Sequence, residues 1–333
     1  MNKNKILVVG GAGYIGSHMV KYLANRGFAS VVLDNLSTGH AQSARYGQLV
    51  VGDLVDQALL DQLFSEHEFV AVMHFAAASL VGESMVDPAK YYRNNVGNTL
   101  NLLDSMVKHS VMDFIFSSTA AIFGEPHYTP IDELHPKSPI NPYGASKLMI
   151  ERILEDYAAA YGLNSVCLRY FNACGADPGG DLGELHDPET HLIPLVLQAA
   201  SGRRKYIKTF GSDYPTPDGT CVRDYIHILD LCQAHHKALE KLLDKSLSGA
   251  QAFNLGNGNG FSVKEVIETA ESVVNKDGKS IIVEESERRP GDPAVLVADA
   301  KSAVDVINWQ PEYISLKEML EHAWAWEKVI LDD

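Results

Sequence analysis

Residues 143 to 147, Tyr-Gly-Ala-Ser-Lys, place a phenol and an ammonium group four positions apart. On a helix the two side chains lie on one face, so the Lys147 ammonium can favour the phenolate form of Tyr143. A tyrosine tuned in this way can take a proton from a sugar hydroxyl during redox chemistry at a carbinol carbon. The same pair also occurs on ordinary exposed helices, so it predicts this chemistry only beside a nucleotide site. The helix is predicted by Pro142 and by the apolar face of Leu148, Ile150, Ile153 and Leu154.

A glycine-rich segment, GGAGYIG at 10–16, follows the apolar run 5–9 directly. Its glycines permit a tight turn from strand to helix and the close approach of a pyrophosphate to the helix N-terminus. Asp34 ends the next apolar strand, eighteen residues after Gly16. Its carboxylate is placed to accept a hydrogen bond from an adenosine ribose and would repel a 2′-phosphate, which favours NAD over NADP.

The elements that must position these residues alternate between apolar strands and helices, which predicts an α/β fold with a doubly wound, Rossmann-like parallel sheet. From Cys174 to His191 the composition shifts to Gly, Pro and Asp. We therefore predict an NAD-binding domain over 1–173 and a smaller α/β substrate domain over 174–333, with some segments returning to the first domain and a cleft between the two. The predicted strands span 5–9, 30–33, 48–51, 70–74, 113–117 and 165–170, and the helices lie near 15–26, 57–66, 88–109, 142–161 and 193–201.

Composition limits the possible partners. The chain has 333 residues, of which 46% are hydrophobic, so it can bury a sizeable core. Its formal charge of −15 argues against nonspecific binding to nucleic acid or to an anionic membrane. It contains no apolar run of the roughly 18 residues that a membrane helix needs, and the first nine residues are too short for a signal-peptide core. We therefore expect a cytoplasmic protein.

The cysteines and histidines give no metal signal at this stage. His235 and His236 are adjacent on a predicted helix and point in different directions, so we predict no metal site. The cysteines lack CxxC or zinc-ligand spacing and are predicted to be reduced; they are Cys167, Cys174, Cys221 and Cys232.

Twelve segments, in order along almost the whole chain, carry a resemblance to a known family. The chain resembles the extended short-chain dehydrogenase/reductase family and, within it, the nucleotide-sugar 4-epimerases. The segments are GGAGYIGSH (10–18), LDNLSTG (33–39), GDL (52–54), HFAA (74–77), VGES (81–84), NNV (94–96), FSSTAAIFG (116–124), SPINPYGASK (138–147), RYFNACGA (169–176), GSDYPTPDGTCVRDYIH (211–227), FNLGNG (253–258) and RRPGDP (288–293).

The resemblance implies an NAD-dependent enzyme that interconverts UDP-glucose and UDP-galactose through a transient 4-keto sugar. Tyr143 would take the O4 proton while hydride leaves C4 for NAD⁺, and hydride would return to the opposite face. Lys147 would hold the nicotinamide ribose and lower the pKa of Tyr143. Thr119 would hydrogen-bond the same substrate oxygen.

The family's cofactor contacts also fall on matching residues. The residues expected to contact the pyrophosphate are Gly10, Gly13, Tyr14, Ile15 and Gly16, and those expected at the adenosine ribose are Asp34 and Asn35, with Ser37, Thr38 and Gly39 in the same segment. The adenine is expected to contact Asp53 and Leu54. The cofactor groove and the nicotinamide are expected to contact Phe75, Ala76, Ala77, Asn94 and Tyr170.

A UDP-hexose substrate needs cations for its diphosphate, and guanidinium groups suit bidentate phosphate binding. The expected substrate contacts beyond Thr119 and Tyr143 are Arg223 and Arg289 at the diphosphate, Asn172 at a phosphate or the sugar, Asp292 at the uridine ribose, and His191, Leu192 and Val295 in the remaining pocket.

Three departures from the family pattern affect these expectations. Ser79 stands where many epimerases have a lysine that contacts the cofactor pyrophosphate, so NAD retention could be weaker. His191 replaces an asparagine, so its backbone rather than its side chain could meet the substrate. Val295 or Leu296 replaces a bulky tyrosine, which leaves room at the sugar's 2-position and predicts some activity on UDP-N-acetylglucosamine.

Other functions remain open at this stage. A nucleotide-sugar 4,6-dehydratase needs an acid and a base after the catalytic threonine, but Ala120 and Ala121 follow Thr119 here. A UDP-glucuronate or UDP-pentose 4-epimerase or decarboxylase is a closer alternative, and a noncatalytic NAD-binding protein is a remote one. The family's habit of pairing two long helices per subunit implies a homodimer through 88–109 and 142–161, although the apolar positions there also suit packing against the sheet.

Overall fold

The computed structural model describes residues 4–289 and 292–332. Its strands are β1 (Lys5–Val9), β2 (Ala29–Asp34), β3 (Gln48–Val51), β4 (Phe69–His74), β5 (Asp113–Thr119), β6 (Asn164–Tyr170), β7 (Asn172–Cys174), β8 (Ile207–Phe210), β9 (Val222–His227), β10 (Ala250–Leu255), β11 (Gly260–Ser262), β12 (Val283–Ser286) and β13 (Val295–Leu296). Its α-helices are α1 (Tyr14–Ala24), α2 (Gln57–Glu66), α3 (Val81–Val86), α4 (Pro88–Tyr91), α5 (Asn98–Lys108), α6 (Pro142–Tyr161), α7 (Leu192–Ser201), α8 (Ile228–Leu243), α9 (Val263–Val274), α10 (Lys301–Ile307) and α11 (Leu316–Asp332).

A seven-stranded sheet in the order β10-β6-β5-β4-β1-β2-β3 forms the centre of the fold, and its neighbouring strands are parallel. Strands β1, β4 and β5 are buried on both faces, which explains their nearly continuous apolar sequences. One apolar cluster lies on each face, with α1 and α8 on one side and α2, α5 and α6 on the other. The predicted doubly wound α/β fold is confirmed. Strand β10 comes from the second half of the chain and forms an edge of this sheet.

The sequence prediction of one helix near 88–109 was wrong in detail. A π-helical turn, Tyr92–Gly97, separates α4 from α5. This wider turn carries the buried Asn95 side chain inward, where its amide donates to Ala78 O and to Ser146 Oγ, each at 3.0 Å. The π-turn therefore ties this helical segment to α6.

Smaller elements make up much of the second half of the chain. Strand β9 pairs with β7, β11 and β13, and β8 pairs with β12. Helices α7, α9 and α11 pack together in a third apolar cluster. Within the described residues, no helix has both the length and the apolar character required to cross a membrane. The four cysteines are buried and free of disulfides.

Candidate active site

Helix α6 positions the Tyr143 and Lys147 pair. Its first turn is fixed by Pro142 and by Asn141, whose side-chain oxygen accepts a hydrogen bond from Gly144 N at 2.8 Å. The Lys147 side chain is buried, and its Nζ donates to Ser117 O at 2.9 Å. The ammonium also lies 4.6 Å from the centre of the Phe116 ring. Strand β5 therefore fixes the position of Lys147 from the sheet side.

Tyr143 faces Thr119, the last residue of β5. Burial raises the pKa of Tyr143, and its hydrogen bond with Thr119 partly lowers it again. The Thr119 hydroxyl also accepts from Ala121 N at 3.1 Å, which fixes its side chain at the start of a 3₁₀ turn. The lowering of the Tyr143 pKa by Lys147 stays a prediction.

Burial also governs the charge of Lys147. It lowers the pKa of the ammonium to about 7, although the neighbouring Cys167 and Glu151 raise it in part. Glu151 lies one helical turn after Lys147 and is buried. It accepts from Ser118 Oγ at 2.6 Å and forms a two-point pair with Arg169 at 2.9 and 2.6 Å. Sequence reasoning missed this buried ion pair, whose partners lie on α6 and β6.

Tyr170, predicted beside the nicotinamide, ends β6 directly opposite Thr119 of β5. Its hydroxyl lies 2.5 Å from Ser117 Oγ. Burial raises the pKa of Tyr170, and Tyr143 also raises it. Tyr143, Thr119, Lys147 and Tyr170 thus meet at one edge of the sheet.

The glycine loop connects β1 to α1 at the same edge. A Cβ on Gly10 would lie 2.5 Å from Ala76 N, and one on Gly16 would lie 2.1 Å from Gly10 O. At Gly13 the nearest atom would be 3.5 Å away, which is ordinary contact. Glycine is therefore required by close packing at Gly10 and Gly16, and Gly13 precedes the first residue of α1. This arrangement suits a pyrophosphate at the helix N-terminus.

Asp34 organises the loop beside the glycines. It is buried, and its carboxylate accepts from Ala12 N and Leu36 N, both at 2.9 Å. Each carboxylate oxygen keeps a further lone pair, so the predicted contact to a ribose hydroxyl remains chemically possible. The next predicted residues also meet, because Asn35 Nδ2 donates to Asp53 Oδ2 at 2.7 Å.

The remaining predicted cofactor residues surround this loop. Both Phe75 N and Ala76 N donate to Val9 O, at 2.8 and 3.2 Å, which brings the end of β4 against the glycine loop. Asn94 is half-buried and donates to Asn95 Oδ1 at 3.0 Å. Of the others, Leu54 is buried, Ile15, Gly39 and Ala77 are half-buried, and Ser37 and Thr38 are exposed.

Two of the predicted substrate residues form an ion pair. Arg223 on β9 donates to Asp292, and its other terminal nitrogen donates to Val222 O at 2.8 Å. Arg289 is exposed, and its guanidinium lies 3.8 Å from the centre of the Phe210 ring. Pro290 and Gly291, within the predicted RRPGDP turn, lie outside the described residues.

The other predicted substrate residues lie on neighbouring elements. Asn172 on β7 donates to Asp224 O at 3.1 Å, and Val295 on β13 pairs with Val222. Leu192 is the first residue of α7, directly after His191. The His191 ring donates to Glu184 and Glu189, at 2.8 and 2.9 Å. Burial opposes its charge, but these hydrogen bonds raise the pKa of His191 to about 10.

Asp224 is a residue that the sequence did not single out. It is buried on β9, and its carboxylate accepts from the backbone of Asn257 at 2.7 Å and from Gly258 and Ala298, both at 3.1 Å. Burial raises the pKa of Asp224 to about 6, against the opposing effect of these hydrogen bonds. Asp224 therefore joins β9 to the segments after β10 and β13.

Helix α1 is also tied to the loop that follows β7. Tyr14 Oη donates to Gly175 O at 2.7 Å, within the protein interior. Lys21 Nζ donates to Asp177 at 2.8 Å and to Asp181 at 2.6 Å. The helix that begins at the glycine loop is therefore bonded to the segment that leads to the substrate half of the chain.

Comparison with known proteins identifies the family. The profile of the NAD dependent epimerase/dehydratase family matches residues 6–256. The chain belongs to this family. Its sequence is 53% identical to a UDP-glucose 4-epimerase of Halalkalibacterium halodurans, over 97% of this chain and 95% of the relative. It is 49% identical to a UDP-glucose 4-epimerase of Rhizobium meliloti, over 98% of each chain.

Solved structures of the epimerase family match equally well. The structure of UDP-glucose 4-epimerase from Brucella ovis in complex with NAD has a TM-score of 0.93 and 50% identity, and the match covers 96% of this chain and 97% of that one. The enzyme from Bifidobacterium longum in complex with NAD⁺ and UDP has a TM-score of 0.91 and 38% identity, over 98% of each chain. The UDP-Glc/GlcNAc 4-epimerase from Campylobacter jejuni has a TM-score of 0.84 and 43% identity, over 98% and 99%. The predictions of an epimerase and of an NAD cofactor are confirmed.

Proposed function

We propose that this protein interconverts UDP-glucose and UDP-galactose by inverting C4 of the sugar, with NAD bound throughout the cycle. The observation that carries the proposal is the placement of Tyr143 beside Thr119, at the sheet edge that also holds the glycine loop. Relatives named UDP-glucose 4-epimerase, about half identical over nearly the whole chain, support the choice of reaction.

The described residues fit the cofactor. Gly10 and Gly16 leave no space for a side chain, which is the packing that lets backbone amides approach a pyrophosphate. Asp34 would hold the adenosine ribose and Lys147 the nicotinamide ribose. When bound, NAD⁺ accepts hydride from C4 and supplies it again to the opposite face.

Tyr143 is the proposed base and acid. It takes the O4 proton during oxidation and returns it when the hydroxyl is restored. Thr119 orients O4 and stabilises the phenolate through its hydrogen bond. Glu151, one turn after Lys147, raises the pKa of that ammonium and so favours the positive charge that a phenolate requires nearby.

Arg223 and Arg289 are the proposed diphosphate ligands. Asp292 already orients the Arg223 guanidinium, so binding requires little reorganisation of that side chain. Tight binding of the UDP half, together with loose contacts to the hexose, lets one pocket accept the 4-keto sugar in two orientations. Asn172, His191, Leu192 and Val295 complete the proposed pocket.

The domain boundary at 173/174, a cytoplasmic location and a homodimer are further parts of the proposal. The two candidate interface segments, α4 to α5 and α6, carry exposed apolar side chains. Tyr92 is 36% exposed, Met149 46% and Tyr161 55%. Pairing of these segments with a second copy would remove that apolar surface from water.

The test is proton NMR of UDP-galactose with the purified protein and no added NAD. Appearance of the anomeric signal of UDP-glucose supports both the reaction and a retained cofactor. Conversion only after NAD is added means weaker retention, as expected from Ser79 in place of a lysine. A 6-deoxy-4-keto product, or no reaction with NAD present, contradicts the proposal.

A second substrate, UDP-N-acetylglucosamine, is favoured by the small residue at β13. Val295 is half-buried and leaves room that a tyrosine would fill. We expect turnover of this sugar, and we expect Val295→Tyr to reduce it more than turnover of UDP-glucose. Good activity on UDP-glucose with no detectable activity on the N-acetyl sugar would contradict this specificity.

A further inference from the structure

A cluster of two histidines and two glutamates lies in the loop between β7 and α7. Each of Glu184, His186, Glu189 and His191 offers one ligand atom, and these four atoms lie within 4.8 Å of one another. The Nδ1 atoms of both histidines approach the same oxygen, Glu184 Oε1, each at 2.8 Å. Glu189 contacts His191 Nδ1 at 2.9 Å and His186 Nδ1 at 3.8 Å. The four donor atoms therefore converge on one centre.

The two carboxylates are almost excluded from water. The side chains of Glu184 and Glu189 are only 7% and 4% exposed, whereas those of His186 and His191 are 32% and 49% exposed. Two buried negative charges require compensation, and among the described residues their ion-pair partners are the two imidazoles. A divalent cation supplies both positive charges and leaves the imidazoles neutral, which is their ligating form.

The loop is held rigidly enough to present these groups. Trp326 Nε1 donates to Glu184 O at 3.1 Å, and His40 Nε2 donates to Leu185 O at 2.8 Å. Glu189 Oε1 also accepts from the backbone amides of residues 190 and 191, at 2.7 and 2.8 Å. These bonds fix both the loop backbone and one carboxylate before any ligand arrives.

We propose that Glu184, His186, Glu189 and His191 form a binding site for one divalent transition-metal cation, with Zn²⁺ or Co²⁺ as the fitting ions. Two imidazole nitrogens and two carboxylate oxygens are a donor set that these ions accept in tetrahedral geometry. Ligand atoms in such a site lie roughly 3.4 Å apart. The observed contacts of 2.8 to 3.8 Å bracket this distance, so small side-chain shifts suffice.

The site lies beside the glycine loop, and one of its ligands, His191, also belongs to the proposed substrate pocket. The rings of His186 and Tyr14 are 6.3 Å apart and nearly perpendicular. A bound cation would stabilise the loop between the two halves of the chain. This proposal does not depend on the proposed epimerase reaction, because metal binding is measured directly and without substrate.

The test uses the full-length protein after dialysis against a chelator. Co²⁺ is titrated and followed by its visible ligand-field absorption and by calorimetry, and Zn²⁺ is then used to displace it. We expect one ion per chain. His186→Asn and Glu189→Gln should each weaken binding by more than about tenfold. Asp187→Asn is the matched control, because Asp187 is exposed in the same loop and outside the cluster.

The site is supported if the Asp187→Asn control binds the metal ion as tightly as the unmodified protein and the two cluster variants lose metal binding. Circular dichroism of each variant shows whether the fold is intact. Absence of one-to-one Co²⁺ and Zn²⁺ binding in the unmodified protein overturns the proposal whether or not the variants fold. Equal affinity in His186→Asn, Glu189→Gln and the unmodified protein also overturns it.

Discussion

Replacement of Lys147 by methionine tests the buried ammonium directly. Methionine keeps an unbranched side chain of similar length but removes the titrating group. The Lys147 side chain is buried against the Phe116 ring and the Ser117 carbonyl, so the apolar replacement can occupy the same space. The variant therefore isolates the energetic cost of the charge.

The size of the effect follows from the pKa. Burial lowers the pKa of Lys147 from 10.5 to about 7, and each pKa unit corresponds to 1.36 kcal/mol. The buried charge therefore costs roughly 5 kcal/mol below about pH 7, where the folded and unfolded chains both hold the proton. As pH rises from about 7 to about 10.5, the folded chain has lost this proton and the unfolded chain still binds it. Stability consequently rises with pH, by roughly 2 kcal/mol between about pH 7 and about pH 9.

The assay is urea unfolding of the unmodified protein and of Lys147→Met at several pH values between about 7 and about 9, after bound NAD has been removed from both proteins. The difference in unfolding free energy between the two proteins should shrink by roughly 2 kcal/mol over this range, with Lys147→Met the more stable at neutral pH. Lys264→Met is the control, since its side chain is 59% exposed and should leave the pH dependence unchanged. A difference that stays constant, or grows, with pH would refute the lowered pKa.

Four other substitutions have defined outcomes. Tyr143→Phe should lower kcat by about 10²- to 10⁴-fold in the epimerase assay, because the proton-transferring hydroxyl is lost. The affinity for UDP, measured by titration, should stay unchanged because only this hydroxyl is removed. An unchanged kcat would exclude Tyr143 as the base. Gly16→Ala should release NAD, detected by chromatography of the bound nucleotide, because its Cβ would lie 2.1 Å from a backbone carbonyl. Gly13→Ala, with 3.5 Å available, should keep the unfolding temperature of the unmodified protein. Arg169→Leu should lower the unfolding free energy by about 3–5 kcal/mol in urea, because it leaves the Glu151 carboxylate buried without its partner; unchanged stability would contradict this ion pair.

Six of the seven strands of the central sheet were predictable from their apolar sequences, whereas the edge strand β10 was not predicted. The predicted end of β5 at residue 117 illustrates the limit of this signal. Polar residues Ser117, Ser118 and Thr119 end the apolar run, yet backbone pairing with β6 continues to Thr119, opposite Tyr170. Hydropathy thus identified the strand but not the polar end that carries the candidate site.

The helical periodicity of 88–109 gave no sign of the π-turn, because one wider turn changes the backbone hydrogen bonds without interrupting the apolar pattern. Local spacing did identify the Tyr143 and Lys147 pair. It could not identify Glu151 with Arg169, or join Arg223 to Asp292, since each pair is brought together only by the packing of distant segments.

The residues of the proposed metal site are close together in the sequence. Glu184, His186, Glu189 and His191 fall within a span of eight residues, whereas the prediction of no metal site rests on the adjacent His235 and His236. The sequence spacing does not show that this loop brings the four side chains to one centre, because that depends on the fold of the loop.

The bonds from Tyr14 and Lys21 to the loop after β7 have a consequence for the order of binding. Because helix α1 is bonded to Gly175, Asp177 and Asp181, the loop cannot separate from the sheet without breaking contacts to the helix beside the dinucleotide site. Opening of the chain to release NAD and loosening of the substrate loop are therefore linked equilibria. We expect a bound nucleotide sugar to raise the affinity for the cofactor, and a bound cofactor to raise the affinity for the nucleotide sugar by the same factor.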